Sequence, residues 1–329
     1  MKTHSKDRIL ALLEANKGRF VSGESLAKNL GVTRNSVWKA VRALQDDGYS
    51  IESVTGKGYM LDQGTSRLSR ASIERFLTRS GILVEYHETI GSTNVRAKEI
   101  ASDHENETVL VVANEQTAGR GRQGRSFDSP SGSGVYFSLL LHPDFHAAET
   151  SLITSYAACC LAQTIDELLD CKARIKWVND IFVNGRKVSG ILTEASFSAE
   201  NMQLSYVIVG IGINVMQPQG GFAKDATGIA GALTTLPRDQ DDLRARLVAG
   251  TVDRMLDGLA DVPNKPHLDD YRERSLLTGR HVEIEESEQH YTAMVLGIDE
   301  DFSLRVELDD GSEKTLVAGD VHIPSNQLA

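Results

Sequence analysis

Lys176-Trp-Val-Asn-Asp-Ile-Phe-Val-Asn-Gly-Arg-Lys-Val-Ser-Gly-Ile-Leu192 is the stretch on which the fold turns. Asn184-Gly185 separates two short apolar runs, and an Asn-Gly pair accepts the two positive φ angles of a type I′ turn at little cost. Two antiparallel strands are therefore expected, Ile181–Val183 and Val188–Ala195. On either side, strand patterns alternate with helical ones. Strands are predicted at Ile82–His87, Thr108–Ala113, Val135–Leu141, Arg174–Trp177 and Leu204–Val215, and a long amphipathic helix at Leu152–Leu169. An antiparallel hairpin set among alternating strands and helices means a mixed sheet and an α+β fold.

Towards the N-terminus the pattern changes. Ile9, Leu10 and Leu13 line one short helix, Leu26, Ala27 and Leu30 a second, and Val37, Ala40, Val41 and Leu44 a third. Gly31-Val32 makes the turn before the third helix, and Thr33 is its natural N-cap. A strand pair, Tyr49–Val54 and Tyr59–Leu61, follows across Thr55-Gly56-Lys57-Gly58. Helix, helix-turn-helix and hairpin make a winged helix-turn-helix. Its third helix presents Arg34, Asn35, Ser36, Lys39 and Arg42 away from the core, and Lys57 sits in the wing; these donors suit base edges and phosphates. Charge agrees with that use. Residues 1–62 hold ten Lys/Arg against seven Asp/Glu, a balance of +3, which leaves −14 on the rest of a chain whose total is −11.

Towards the C-terminus, Asp241–Leu259 has helical spacing, and Pro263 and Pro266 punctuate its end. Short alternating strands then follow at His281–Glu285, Tyr291–Ile298, Ser303–Leu308 and Lys314–Val317, predicting a small β-barrel. The expected division of the 329 residues is thus 1–65, 66–273 and 274–329. The longest apolar run, near Val207–Val215, is half of the ~18 residues that a membrane span requires. The chain opens on polar sequence, and Cys159, Cys160 and Cys171 are odd in number and lack metal-ligand spacing. A reduced, cytoplasmic protein with no membrane partner is expected.

One loop dominates the chemistry: Glu115-Gln-Thr-Ala-Gly-Arg-Gly-Arg-Gln-Gly-Arg125. Its glycines let backbone amides approach a ligand closely, and its arginines supply planar, permanently charged forks for phosphate or carboxylate. Neither the GxxxxGK[ST] phosphate loop nor the dinucleotide fingerprint fits it. Four smaller clusters accompany it: Gly91-Ser-Thr-Asn94, Lys176-Trp-Val-Asn-Asp180, Lys187 after the Asn-Gly turn, and Gly210-Ile-Gly-Ile-Asn214. Each alone is a weak signal, because Ser-Thr-Asn is commonly a cap and a hairpin lysine is normally solvated. Together with the arginine loop they indicate a built anion site.

These pieces, GSTN (91–94), EQTAGRGRQGR (115–125), KWVND (176–180), GRKVSGIL (185–192) and GIGIN (210–214), resemble the biotin–protein ligases in order and spacing. The resemblance extends over the whole chain and is closest to the bifunctional form that is also the biotin operon repressor. It implies a winged helix-turn-helix, a mixed-sheet catalytic domain and a small C-terminal β-barrel. It also implies a two-step reaction, in which biotin and ATP give biotinyl-5′-AMP and the biotinyl group then passes to a lysine of a biotin carboxyl carrier protein. A carboxylate is already ionised at neutral pH, so the first step needs positioning and charge relief, not a general base.

By the same resemblance Ser92, Thr93, Asn94 and Gln116 hold the biotin head group, and Gly119, Arg120, Gly121 and Arg122 wrap the tail and phosphate. Arg122 and Lys187 carry the catalytic charge, Asn179, Asp180 and Asn214 serve the adenylate, and Asp180 orients Mg²⁺. The implied partners are operator DNA, the carrier protein and a second copy in a homodimer promoted by biotinyl-5′-AMP. Val178 replaces the family's usual proline, Phe127 stands where the repressor carries a tryptophan, and Gln217–Ala226, where an adenylate-covering loop belongs, has Phe222 as its one aromatic. Two other readings remain open at this level: a lipoate-type ligase of the same fold, or a biotin-responsive DNA-binding regulator without catalysis.

Overall fold

The Asn184-Gly185 turn takes the conformation its residue types favour, with φ of 50° and 72°, and joins two antiparallel strands. The computed structural model describes residues 5–65, 67–146, 149–197, 204–222, 229–234, 242–286 and 289–323. They fall into two units, one within 1–78 and 236–249 and the other within 79–235 and 250–329.

In the first unit, α1 (Ser5–Ala15), α2 (Gly23–Leu30) and α3 (Arg34–Asp46) precede the wing, β1 (Ile51–Val54) and β2 (Gly58–Leu61), and a short α4 (Arg70–Glu74) follows. Ile9, Leu13, Leu26, Val37, Val41, Leu44 and Leu61 form the core, as the helical spacing required. Gly31, at φ 65°, ends α2, and the Thr33 hydroxyl caps α3 by accepting the Ser36 amide at 3.1 Å. A buried ionic cluster lies in the same unit. Lys17 Nζ donates to both Asp242 carboxylate oxygens, at 2.8 and 2.7 Å, and to the Thr65 carbonyl. Arg75 reaches Asp242 at 3.1 Å and Glu14 at 3.6 Å, and burial pushes the Glu14 carboxyl above its usual range. Removing one member of such a cluster costs about 3–5 kcal/mol, because the charge left behind stays buried.

The second unit is built on a seven-stranded sheet: β3 (Ile82–His87), β4 (Thr108–Ala113), β5 (Gly134–Leu141), β6 (Arg174–Lys176), β7 (Asp180–Val183), β8 (Arg186–Phe197) and β9 (Leu204–Asn214). Its order is β3-β4-β5-β9-β8-β7-β6, and only β3 and β4 run parallel, so the sheet is mixed. Every residue of β5 is buried, which is why that strand reads as a continuous apolar run. α5 (Thr93–Ile100) packs on β4, β5 and β9, and α6 (Thr150–Leu169) on β6 to β9.

The later helix expected at Asp241–Leu259 is α7 (Leu243–Gly258), and α8 (Leu268–Glu273) was not foreseen. The C-terminal strands β10 (His281–Glu286), β11 (Gln289–Ile298), β12 (Leu304–Leu308), β13 (Glu313–Leu316) and β14 (Asp320–His322) form one antiparallel sheet in the order β13-β12-β11-β10-β14. Where a small barrel was expected, no pairing joins the two end strands among the described residues. β14, three residues long, is too short to register as alternation. No helix among the described residues is long and apolar enough to cross a membrane.

Candidate functional site

The arginine–glycine loop, between β4 and β5, is ordered by its own backbone. Phe127 N–H donates to the Gly119 carbonyl at 3.0 Å and Gly121 N–H to the Arg125 carbonyl at 2.7 Å, so the loop folds back as a narrow ladder. A Cβ on Gly119 would lie 2.3 Å from the Phe127 carbonyl oxygen, so this position excludes any side chain. The ladder opens on a cavity lined by Ser92, Thr93, Asn94, Gln116, Arg120, Gly121, Arg122, Asn179, Asp180 and Lys187. Ten of the twelve residues expected to hold ligand are thereby brought together. Gly119 is set just behind the lining, and Asn214, at the end of β9, does not line the cavity.

One end of the cavity is neutral and polar. Gln116 Oε1 accepts the Thr93 amide at 2.8 Å and the Thr93 hydroxyl at 3.1 Å. Ser138, the lone serine within the apolar run of β5, has its Oγ 2.7 Å from Thr93 Oγ1 and 2.6 Å from Asn94 Oδ1, and shares its one proton between these two oxygens. Asn94 Nδ2 gives its protons to Glu194 at 2.8 Å and to the Leu192 carbonyl at 3.3 Å. Its amide is thus engaged by the protein while Asn94 itself lines the cavity. Neither Ser138 nor Glu194 was singled out from sequence, although a serine inside a wholly apolar strand was a usable signal.

The floor is glycine. Gly190 pairs with Gly212 across β8 and β9, and the Phe127 ring lies over both. A Cβ on Gly212 would come within 2.4 Å of that ring, and one on Gly210 within 1.9 Å of Asn94 Oδ1.

The other end is cationic. Arg120, Arg122, Arg125, Lys176 and Lys187 line it, against the carboxylates of Asp180 and Asp320. Arg122 Nη1 donates to Asn179 Oδ1 at 3.2 Å, and Asn179 Nδ2 donates to the Ile191 carbonyl at 2.7 Å. Lys187 Nζ lies 2.7 Å from Asp180, and Arg125 pairs with Asp320 of β14. Burial holds the Lys176 ammonium below its usual pKa, against the pull of Asp180. Lys187 reaches this face through a β-bulge. Ile181 pairs with Ser189 but Phe182 with Lys187, so Val188 is the extra residue. Three residues before Gly190, Lys187 would otherwise point to the opposite face of the sheet. Asp320 and His322 are lining residues that sequence reading did not select, and Lys176 and Arg125, though inside the quoted motifs, were given no role of their own. Asp180 belongs to no cluster of metal-type ligands: among the described residues, the one group of three is Glu285, Asp320 and His322.

In the winged-helix unit Arg34, Asn35, Lys39, Arg42 and Lys57 are exposed, as expected. Ser36 is half-buried and its hydroxyl contacts the Thr33 cap at 2.9 Å. A groove between α3 and the wing is lined by Arg34, Trp38, Arg42, Ser53 and Thr55. Trp38, not foreseen as a contact residue, is 49% exposed and carries the Arg42 guanidinium over its ring at 5.6 Å.

The same three regions match known families. Residues 6–60 match the HTH domain, 86–214 the Biotin/lipoate A/B protein ligase family, and 277–323 the Biotin protein ligase C terminal domain. The chain is 37% identical to the bifunctional ligase/repressor BirA of Bacillus subtilis over 245 residues, 74% of each chain. It is 28% identical to the protein of the same name from Salmonella typhimurium over 320 residues, 94% of each. Among solved structures, it resembles the biotin protein ligase from Aquifex aeolicus in complex with biotin and ATP. That likeness has a TM-score of 0.58 at 25% identity, over 74% of this chain and 98% of the other.

Proposed function

The chain belongs to the bifunctional biotin ligase/repressor family, and on that premise we propose how its residues divide the work. It is an ATP-dependent biotin–protein ligase joined to a helix-turn-helix repressor module. The observation that carries the assignment of roles is the cavity itself, with a neutral hydrogen-bonding end, a glycine floor and five cations at the far end.

Ser92, Thr93 and Gln116 take the ureido ring of biotin, whose donors and acceptors are neutral, while Asn94 holds that wall in place. The acyl chain runs over Gly190 and Gly212 towards Gly119, Arg120 and Gly121. Its carboxylate oxygen attacks the α-phosphorus of ATP, a new P–O bond forms, and the bond to pyrophosphate breaks. Arg122 and Lys187 offset the charge that gathers there, with Asn179 orienting Arg122 and Asp180 orienting Lys187. The carrier's lysine amine then attacks the acyl carbon, AMP leaves with the bonding pair, and the amine loses its proton.

Mg²⁺ delivered on ATP needs only one or two protein carboxylates. Asp180 fits that donor role, and the ion would supply further charge relief on the phosphates. Asn214, at the end of β9 and outside the cavity lining, would read the adenine edge. The loop expected to cover the adenylate, 217–226, is described only as far as Phe222.

We keep the division 1–65, 66–273 and 274–329, which the three family matches support. Arg34, Asn35, Lys39, Arg42 and Lys57 contact operator DNA, with Ser36 holding the helix cap. The protein acts in the cytoplasm, which its free cysteines suit, and dimerises when biotinyl-5′-AMP is bound. The decisive experiment is incubation with biotin, Mg-ATP and a biotin carrier domain, followed by detection of protein-linked biotin. Carrier left unlabelled, or labelled by lipoate in preference to biotin, overturns this reading.

A further inference from the structure

Lys176 and Asp180 face each other at the mouth of the β6–β7 hairpin, so Trp177, Val178 and Asn179 form its turn. On one side that turn is bonded to β8, through Asn179 and Ile191. On the other side it is held by residues outside the sheet. The buried Trp177 indole N–H donates to the Phe302 carbonyl at 2.8 Å, and the Tyr271 hydroxyl donates to the Val178 carbonyl at 3.1 Å.

Phe302 lies in the turn between β11 and β12 at φ 65°, a left-handed conformation that a bulky residue rarely adopts. Its ring is 5% exposed, stacks on His267 at 4.6 Å and 17°, and meets Tyr271 edge-on at 5.3 Å and 79°. His267 is anchored in turn, 2.9 Å from the Ser155 hydroxyl of α6. The turn between β11 and β12 thus inserts one aromatic residue against His267, Tyr271 and Trp177, and among the described residues the Trp177 indole N–H donates to that residue's backbone.

We infer that Phe302 is a positioning residue for adenylate formation, holding Trp177 so that Asn179 and Asp180, two and three residues further on, stay aimed at Arg122 and Lys187. The inference rests on the ligase reading and assigns a specific task to the C-terminal sheet. Asn179 and Asp180 face the phosphate end of the cavity, and Ser92, Thr93 and Gln116 lie at the other end. Loosening the turn therefore weakens ATP handling and spares biotin handling.

The test uses the full chain as Phe302→Ala and as Trp177→Phe, which keeps an aromatic ring and removes the N–H donor together with part of the buried indole. Biotin-dependent ATP–pyrophosphate exchange is followed with ATP and biotin varied separately, and thermal unfolding is recorded alongside. Both variants should raise the KM for ATP about tenfold, the worth of one well-made hydrogen bond, with the KM for biotin within about twofold of the parent. If Phe302→Ala does not fold, Trp177→Phe decides alone. Equal rises in both KM values, or a lowered Tm with both unchanged, overturn the inference and reduce Phe302 to a packing residue. A parent protein with no biotin-dependent exchange overturns the ligase reading instead.

Discussion

Lys187 and Arg122 line the same cationic end of the cavity with different partners, and different tasks are expected of them. Lys187 Nζ lies 2.7 Å from Asp180, a compact cation beside its counter-ion and, on the proposed reading, within the phosphate end of the cavity. Lys187→Gln should lower single-turnover adenylate formation about 100-fold at saturating substrates, in line with loss of one preorganised charge. Parental turnover in that variant would show that Lys187 merely neutralises Asp180. Arg122 lies inside the glycine ladder and is oriented by Asn179, so it can hold the finished adenylate as well as assist in making it. Arg122→Gly should release biotinyl-5′-AMP and label bystander lysines. Retention of the adenylate with undiminished carrier selectivity would reject that second role.

At the scale of elements, what matters is how neighbouring segments are fastened. His267, just before α8, is buried against Phe302 and Tyr156, and burial pushes its imidazole from 6.5 down to about 4. Asp270 is the charged group that opposes the shift, and Ser155 is the hydrogen-bond partner. The unfolded chain takes up this proton below about pH 6.5, the folded chain only near 4, so stability falls as pH drops through that window. The loss approaches roughly 3 kcal/mol at its limit. Urea midpoints measured from pH 7 to 4.5 should decline more steeply in the parent than in His267→Gln. Identical profiles would assign the acid sensitivity to other groups. A second fastening is the bulge at Val188, which a strand drawn from sequence as a regular ladder from Val188 onward does not contain.

At the scale of the whole molecule, charge separates the two functions. The winged helix-turn-helix, at +3 over residues 1–62, offers few phosphate contacts, and the remaining −14 repels DNA. One copy should bind weakly at physiological salt, whereas two copies on a symmetric dimer add their contacts across successive half-sites. An adenylate that binds the dimer more tightly than the monomer must raise DNA affinity by linkage without touching DNA. Operator binding and sedimentation, each measured with and without biotin plus ATP, should rise together. Equal operator binding by the unliganded monomer would leave the two functions uncoupled.

By itself the sequence determined whatever depends on short-range chemistry. Asn184-Gly185 dictates its hairpin because two adjacent positive φ angles suit those residues and few others. The Thr33 cap and the apolar spacing of α1, α2 and α3 follow from helix geometry alone. The alternation of glycine with arginine at 119–125 announces an anion site because both residue types are present for what they offer a ligand. Whatever depends on which distant residues meet was decided by the tertiary structure. One inserted residue on β8 turned Lys187 to the face of Asp180. Ser138 of β5 and Glu194 of β8 claimed the amide of Asn94, and Asn214 was left outside the lining. Phe302, more than a hundred residues from Trp177 in the chain, became its hydrogen-bond partner. Parity along a strand and contact between strands are set by sheet register, and register is a property of the paired chain, not of any one segment.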